Sequence, residues 1–169
     1  MERDELRAVQ EPLKQRYRDE PDAALVTLSA RGELDTGISC SVETGRALAE
    51  AGLHPASGGD GSLVCSGDML LQALVACAGV TLRAVATALG VVLRGGAVSA
   101  EGDLDFRGTM AVDREIPVGF TAIRLWFELE SDAGEEQLET LLRLTHRYCV
   151  VLQTLTEPPR ISVSRVTSA

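Results

Sequence analysis

The sequence predicts an α+β domain with antiparallel sheet wrapped around one long buried helix, and three observations carry that prediction. The stretch from Ser66 to Leu89, SGDMLLQALVACAGVTLRAVATAL, contains no proline, has Ser66 or Asp68 to cap its start and Gly90 to close its end, and so reads as one helix of about 22 residues. Leu70, Leu71, Leu74, Val75, Ala78, Val80, Leu82, Val85, Ala86 and Leu89 fall on nearly every face of it, interrupted only by Asp68, Gln72 and Arg83, and a helix apolar all round has to be buried all round. On either side, the chain alternates apolar and polar residues with a period of two, and the resulting order is strands, long helix, strands, helix, strand. A membrane span is the rival reading. The longest charge-free run, between Asp68 and Arg83, contains Gln72 and falls short of about 20 apolar residues.

Glu2 to Arg18 is charge-rich, with Leu6, Val9, Leu13 and Tyr17 in a narrow apolar stripe, so residues 1–20 are expected to form an N-terminal helical extension of a single domain spanning 1–169. Ala24 to Ala30 and Gly37 to Val42 read as two short strands with turn signals at Arg31-Gly32 and Asp35 to Gly37, most simply a hairpin. His54 to Gly61, HPASGGDG, is a glycine-rich loop. It lacks the GxxxxGK[ST] pattern, and no strand is expected directly before the helix, so it does not read as a phosphate cradle. After the central helix, Val91 to Ala111 is strand-like, alternating Leu104 and Phe106 with Asp103, Asp105 and Arg107, which gives the sheet one wet face. Val118 to Glu130 alternates again through Phe120, Ala122, Leu125 and Phe127. Asp132 then starts a helix through Leu138, Leu141, Leu142 and Leu144 that ends near Cys149, and Ile161 to Val166 makes a last strand.

Composition removes several function classes. A chain of 169 residues can bury a single core without disulfide staples. Its net charge of −9 gives no basic face for nucleic acid or an anionic membrane surface, so neither is expected as a partner. Met1 is followed by Glu2, Arg3, Asp4 and Glu5 rather than by an apolar signal, so the expected compartment is the cytoplasm, where cysteines are free thiols, ligands or redox groups.

Two of the four cysteines ask for explanation: Cys77, inside the buried helix, and Cys149, in HRYCVVLQTL at the end of the second helix. Cys40 lies in an expected strand and Cys65 just before the central helix. A buried cysteine is often only a small hydrophobe. Zinc is not expected, since there is no CxxC or HxxxH, and His146 with Cys149 offers two ligands without a third or fourth.

Gly58-Gly59-Asp60-Gly61, followed by Ser66-Gly67-Asp68-Met69-Leu70-Leu71-Gln72-Ala73-Leu74 and leading into Ala76-Cys77-Ala78 and Thr81-Leu82, resembles the OsmC/Ohr family of organic hydroperoxide reductases. Arg147-Tyr148-Cys149-Val150-Val151-Leu152-Gln153-Thr154-Leu155 resembles that family's second cysteine motif, and the similarity runs from about Ala24 to Val166. The resemblance implies an OsmC-like fold in an intertwined homodimer with sites at the subunit interface, and a cysteine-based peroxidase without cofactor or metal. Cys77 matches the peroxidatic cysteine and Cys149 the resolving one. Organic hydroperoxide is the implied substrate and an external dithiol the implied reductant, with the reaction passing through a Cys77 sulfenic acid and a Cys77–Cys149 disulfide.

The family also places a glutamate ten residues before the cysteine, where this chain has Gly67, with Asp68 beside it. A thiol buried in mid-helix has its pKa raised by desolvation, so a nearby cation is expected to offset it. The family supplies an arginine; the candidates here are Arg46, favoured for its closeness to the loop entering the helix, or failing that Arg31, held by Asp68 in the glutamate's place. Arg83 is not expected to serve, since six residues along a helix rotate it about 240° from Cys77. A second function class stays open through that missing glutamate: a divergent OsmC-like protein that binds a small apolar ligand or acts on another thiol-reactive species.

Overall fold

The computed structural model describes residues 3–34, 40–42 and 51–165. The chain opens with helix α1 (Arg3–Asp19), then places β1 (Leu25–Leu34) against β2 (Cys40–Val42) in the expected antiparallel pairing; residues 37–39 of the expected second strand lie outside the described residues. Two very short strands, β3 (Ala51–Gly52) and β4 (Val64–Cys65), pair in parallel on either side of the glycine-rich loop. The central helix α2 runs over Ser66–Leu89, and beyond it come β5 (Gly95–Asp105), a single turn α3 (Phe106–Thr109), β6 (Phe120–Glu130), α4 (Glu135–Tyr148) and α5 (Val150–Thr156). The main sheet has the strand order β2-β1-β5-β6, every neighbour antiparallel.

Why α2 becomes the middle layer follows from its side chains. Leu71, Leu74, Val75, Ala78, Leu82 and Ala86 recur at three- and four-residue steps and are buried, packing with Val98 and Ala100 of β5 and Leu141 of α4. The helix thus lies between the inner face of the sheet and the pair α4–α5, touching β1 and β5 on one side and both helices on the other. Truncating Leu74 or Leu82, each fully buried, would cost about 2–5 kcal/mol on the usual scale for such sites. By length and composition α2 passes as a membrane span, yet its buried stripe serves as the core of this fold. Burial on all faces is not met within one chain, since Leu70, Val80 and Leu89 are each about 40% exposed.

The helix ends illustrate what the sequence under-determined. Gly90 closes α2 as expected, in the left-handed region at φ 68°, where only glycine sits without strain. At the start, neither Ser66 nor Asp68 is the cap: the N-cap position is Cys65, which makes no side-chain cap, and Ser66 and Asp68 fall inside the first turn. A strand does stand directly before the helix, contrary to expectation, because β4 is only two residues long and carries no periodic signal.

In the sheet, Val98, Ala100 and Gly102 of β5 sit opposite Phe127, Leu125 and Ile123 of β6, all facing α2. Phe120 joins that inner face, packing over Gly102, where an added Cβ would run into its ring. Phe120 and Leu125 therefore share a face despite opposite parity. The register slips between Asp103, which pairs with Ala122, and Leu104, which pairs with Phe120, so Thr121 is an extra residue in the ladder and Ala122 is exposed rather than inward. The outer face is wet as expected: Asp103 accepts from Arg124 at 2.8 Å and from Thr27 at 2.7 Å. Asp105 departs from that pattern. It is buried and caps α3, accepting from the backbone N–H of Arg107 while pairing with its guanidinium, so the strand stops at Asp105 and Phe106 starts a helical turn.

Two further expectations need correction. The second helix starts at Glu135 with Gly134 as its N-cap, not at Asp132, whose carboxylate pairs with Arg94. Residues 161–165 form no strand; Ile161 and Val163 are 83% and 95% exposed, and Val166 lies outside the described residues. Alternation gives such a segment a strand-like face, but the ladder needs a neighbouring edge, which the described residues do not supply to it.

Candidate active site

Cys77 and Cys149 come together. Cys77 sits half-buried at the middle of α2, and Cys149 is fully buried where α4 gives way to α5. The backbone of Cys149 is extended (φ −72°, ψ 105°), so it closes one helix and opens the next: its N–H still bonds the Thr145 carbonyl at 2.9 Å, and its carbonyl accepts from Gln153 at 2.9 Å. That break has a chemical consequence. The first N–H groups of any helix have no intrahelical partner, and at α5 they belong to Val150, Val151 and Leu152. The amides of Val150, Val151 and Leu152 at the start of α5 and the two thiols lie close enough to bear on the ionisation of both sulfurs.

The two sulfurs are driven in opposite directions. Burial pushes Cys77 up, but the Val151 N–H, the Cys149 thiol, the Thr81 hydroxyl and the Val150 N–H all favour its thiolate and together hold it below the ordinary cysteine value. Cys149 is pushed up to about 11, by burial first, with the nearby Cys77 sulfur also favouring its protonated form, and the Leu152 and Val151 N–H groups only partly offset this. The pair therefore sets a thiol whose ionisation is favoured beside one whose ionisation is opposed.

Of the other candidates, Asp68 lies nine residues before Cys77, about 14 Å along the helix at 1.5 Å per residue, and is not in contact with the thiol pair. Its carboxyl is raised by burial and drawn back by His54, whose ring stacks on Phe106 at 5.0 Å. Arg46 and the side chain of Arg31 lie outside the described residues, as does the side chain of Cys40. Arg83 donates to the Leu93 carbonyl at 2.9 Å, away from Cys77. Cys65 is a turn ahead of Asp68, in a cleft of about 380 Å³ with His54, Leu70 and Phe120. Among the described residues, no three His, Cys, Asp or Glu side chains converge to hold a metal ion.

The donors that lower Cys77 were missed from sequence. Thr81 was accessible, since it follows Cys77 by four residues on a helix and such residues stack. The amides were not: they depend on a helix break at Cys149, and residues 146–152 contain neither proline nor glycine to announce one.

The fold finds its counterpart among known proteins. Residues 59–164 match a family model described as OsmC-like protein. Among solved structures, the chain is similar to an OsmC-like hydroperoxide resistance protein from Jannaschia sp. CCS1, with a TM-score of 0.60 and 18% identity over 82% of this chain and 91% of that one. At that identity the likeness establishes the fold. No curated protein matches the chain. The matched span contains α2, the main strands after it, both facing cysteines and the helix break between α4 and α5, and the chain belongs to the OsmC-like protein family.

Proposed function

We propose that this protein is a thiol-dependent peroxidase for organic hydroperoxides, with Cys77 as the attacking thiolate and Cys149 as the resolving thiol. One observation carries the reading: two thiols close enough to bear on each other's ionisation, with the more exposed one lowered and the buried one raised. The Cys77 thiolate attacks the distal peroxide oxygen; an S–O bond forms, the O–O bond breaks, and the alkoxide leaves with the electron pair and takes up a proton. The resulting sulfenic acid, oxidised by two electrons, condenses with the Cys149 thiol, forming the S–S bond and releasing water. An external dithiol then returns both sulfurs to thiols by exchange. The aliphatic surroundings of Cys77 favour an alkyl hydroperoxide over hydrogen peroxide. Family membership and the hydroperoxide resistance named for the Jannaschia protein support the same class of chemistry.

Amide and hydroxyl groups beside Cys77 favour its thiolate in addition to whatever an arginine supplies. Turnover of an alkyl hydroperoxide to its alcohol, driven by a small dithiol, is the test. Comparable turnover of hydrogen peroxide would contradict the substrate preference, and no consumption of either would end the peroxidase reading.

A homodimer belongs to the same proposal. Leu70 and Val80 lie on the exposed stripe of α2 that carries Cys77, and Val150, at the start of α5, is 70% exposed. Such an apolar surface around a reactive thiol is the kind that a second copy covers. Sedimentation at micromolar concentration is expected to give the mass of a dimer, and a monomer would contradict it.

A further inference from the structure

The cleft of about 380 Å³ at the start of α2 has no part in the proposed cycle, since neither Cys77 nor Cys149 lines it, yet its volume falls in the range of small-molecule sites. Leu53, Leu70, Leu104, Val118 and Phe120 form its apolar walls. Two features of the fold gather them. The parallel pairing of Gly52 with Cys65 sets Leu53 and His54 beside the first turn of α2, and the extra residue at Thr121 returns Phe120 to the inner face opposite Leu104. Re-aiming a side chain in this way is a recurrent use of a bulge beside a functional site. His54 is the polar group of the cleft. Its Nδ1 accepts from the Ala56 N–H at 3.0 Å, which leaves the proton of the neutral ring on Nε2, and the ring stacks on Phe106 at 5.0 Å. Helix α1 holds the same loop from behind: the Tyr17 hydroxyl donates to the Ala56 carbonyl, and the Gln10 amide donates to the Ser57 carbonyl at 3.2 Å.

We propose that this cleft binds a small uncharged molecule with an apolar body and one acceptor oxygen, which takes a hydrogen bond from the Nε2–H of His54. The class of ligand follows from the lining. Among the described residues, no Lys, Arg, Asp or Glu lines the cleft, so nothing there offsets the cost of desolvating a charged group. Nε2 of His54 has no hydrogen-bond partner among the described residues, so its donor is available to a ligand, and a ring fixed at Nδ1 and by stacking need not be ordered on binding. Leu53 and His54 also lie ahead of residues 59–164, the span that matches the OsmC-like family model. The inference stands apart from the peroxidase reading, and peroxide turnover has no part in its test.

The experiment titrates the isotope-labelled full-length chain with three probes of one shape and follows its amide signals by NMR. Para-isopropylacetophenone is an uncharged ketone, para-ethylcumene lacks the oxygen, and para-isopropylbenzoate carries a charge. The ketone is expected to shift the amides of Leu53, His54, Gly67 and Leu70 saturably. The hydrocarbon should bind about fivefold more weakly for want of one hydrogen bond, and the carboxylate more weakly still. His54→Asn keeps a side-chain oxygen that accepts from the Ala56 N–H but lacks Nε2–H, so it should weaken the ketone about fivefold and leave the hydrocarbon unchanged. Val118 is 73% exposed at the rim, so Val118→Trp should fill the cleft without disturbing the core and weaken both uncharged probes. Absence of any saturable shift at the cleft amides with the ketone would overturn the site. Tightest binding by the carboxylate would overturn the assignment to uncharged ligands. Equal affinity of wild type for ketone and hydrocarbon, or a parallel loss of both in His54→Asn, would overturn the hydrogen bond from His54.

Discussion

Cys77→Ser is expected to lower the rate of organic hydroperoxide reduction by more than about a thousandfold, because removing a nucleophile removes the covalent step itself. The serine hydroxyl fits the site left by the thiol, so the fold and the helical core should persist, and an unchanged thermal melt would show that the loss is chemical. The pH dependence of the wild-type rate belongs to the same prediction. Cys77 is held below the ordinary cysteine value, so the rate should rise through a midpoint lower than that of a free thiol as the thiolate forms. Cys149, pushed up to about 11, should remain protonated across that range and contribute no second rise near neutrality. A Cys77→Ser variant with wild-type turnover would remove Cys77 from the chemistry.

Cys149→Ser is expected to separate the two halves of the cycle. Attack by Cys77 should survive, releasing close to one equivalent of alcohol per chain in a burst, because the Val150 and Val151 amides that stabilise the thiolate are backbone groups and remain in place. The thiol that the sulfenic acid condenses with is then gone. Steady-state turnover should fall by roughly one to two orders of magnitude, and the sulfenic acid should accumulate and over-oxidise to sulfinic acid with excess peroxide. Trapping the sulfenic acid with a dimedone-type reagent distinguishes this from a simple loss of activity. Full turnover without accumulation would show that Cys149 is not the resolving thiol.

The parts of the molecule legible in the sequence are those fixed by periodicity. Helix α2 could be read from end to end because its apolar residues have no polar face and Gly90 marks its stop, and β5 and β6 from their period of two. The two cysteines could be paired only through family resemblance, since nothing in the residues between positions 77 and 149 states that α4 returns across α2. What escaped was decided by geometry that side-chain type does not encode. The N-cap fell on Cys65 because β4 delivers the chain in an extended conformation there, and the phase change in β6 came from one extra residue at Thr121. The thiolate donors escaped most completely. Burial of a thiol points to a charged side chain beside it, whereas among the described residues the amides at the start of α5 and the hydroxyl of Thr81 are the groups that favour ionisation of Cys77. The alternation from Ile161 to Val166 has the look of a strand, yet a strand is a property of two segments, and the described residues form none at 161–165.

The proposed cycle turns on the two sulfurs acting as a pair, and that is measured directly by oxidising the fully reduced chain with one equivalent of an alkyl hydroperoxide and mapping its peptides under non-reducing conditions. The prediction is a single new linkage joining the peptide that contains Cys77 to the one that contains Cys149, lighter by the mass of two hydrogens, with Cys65 still a free thiol. Recovery of Cys77 and Cys149 as unlinked thiols, or of Cys77 linked to another cysteine, would contradict it.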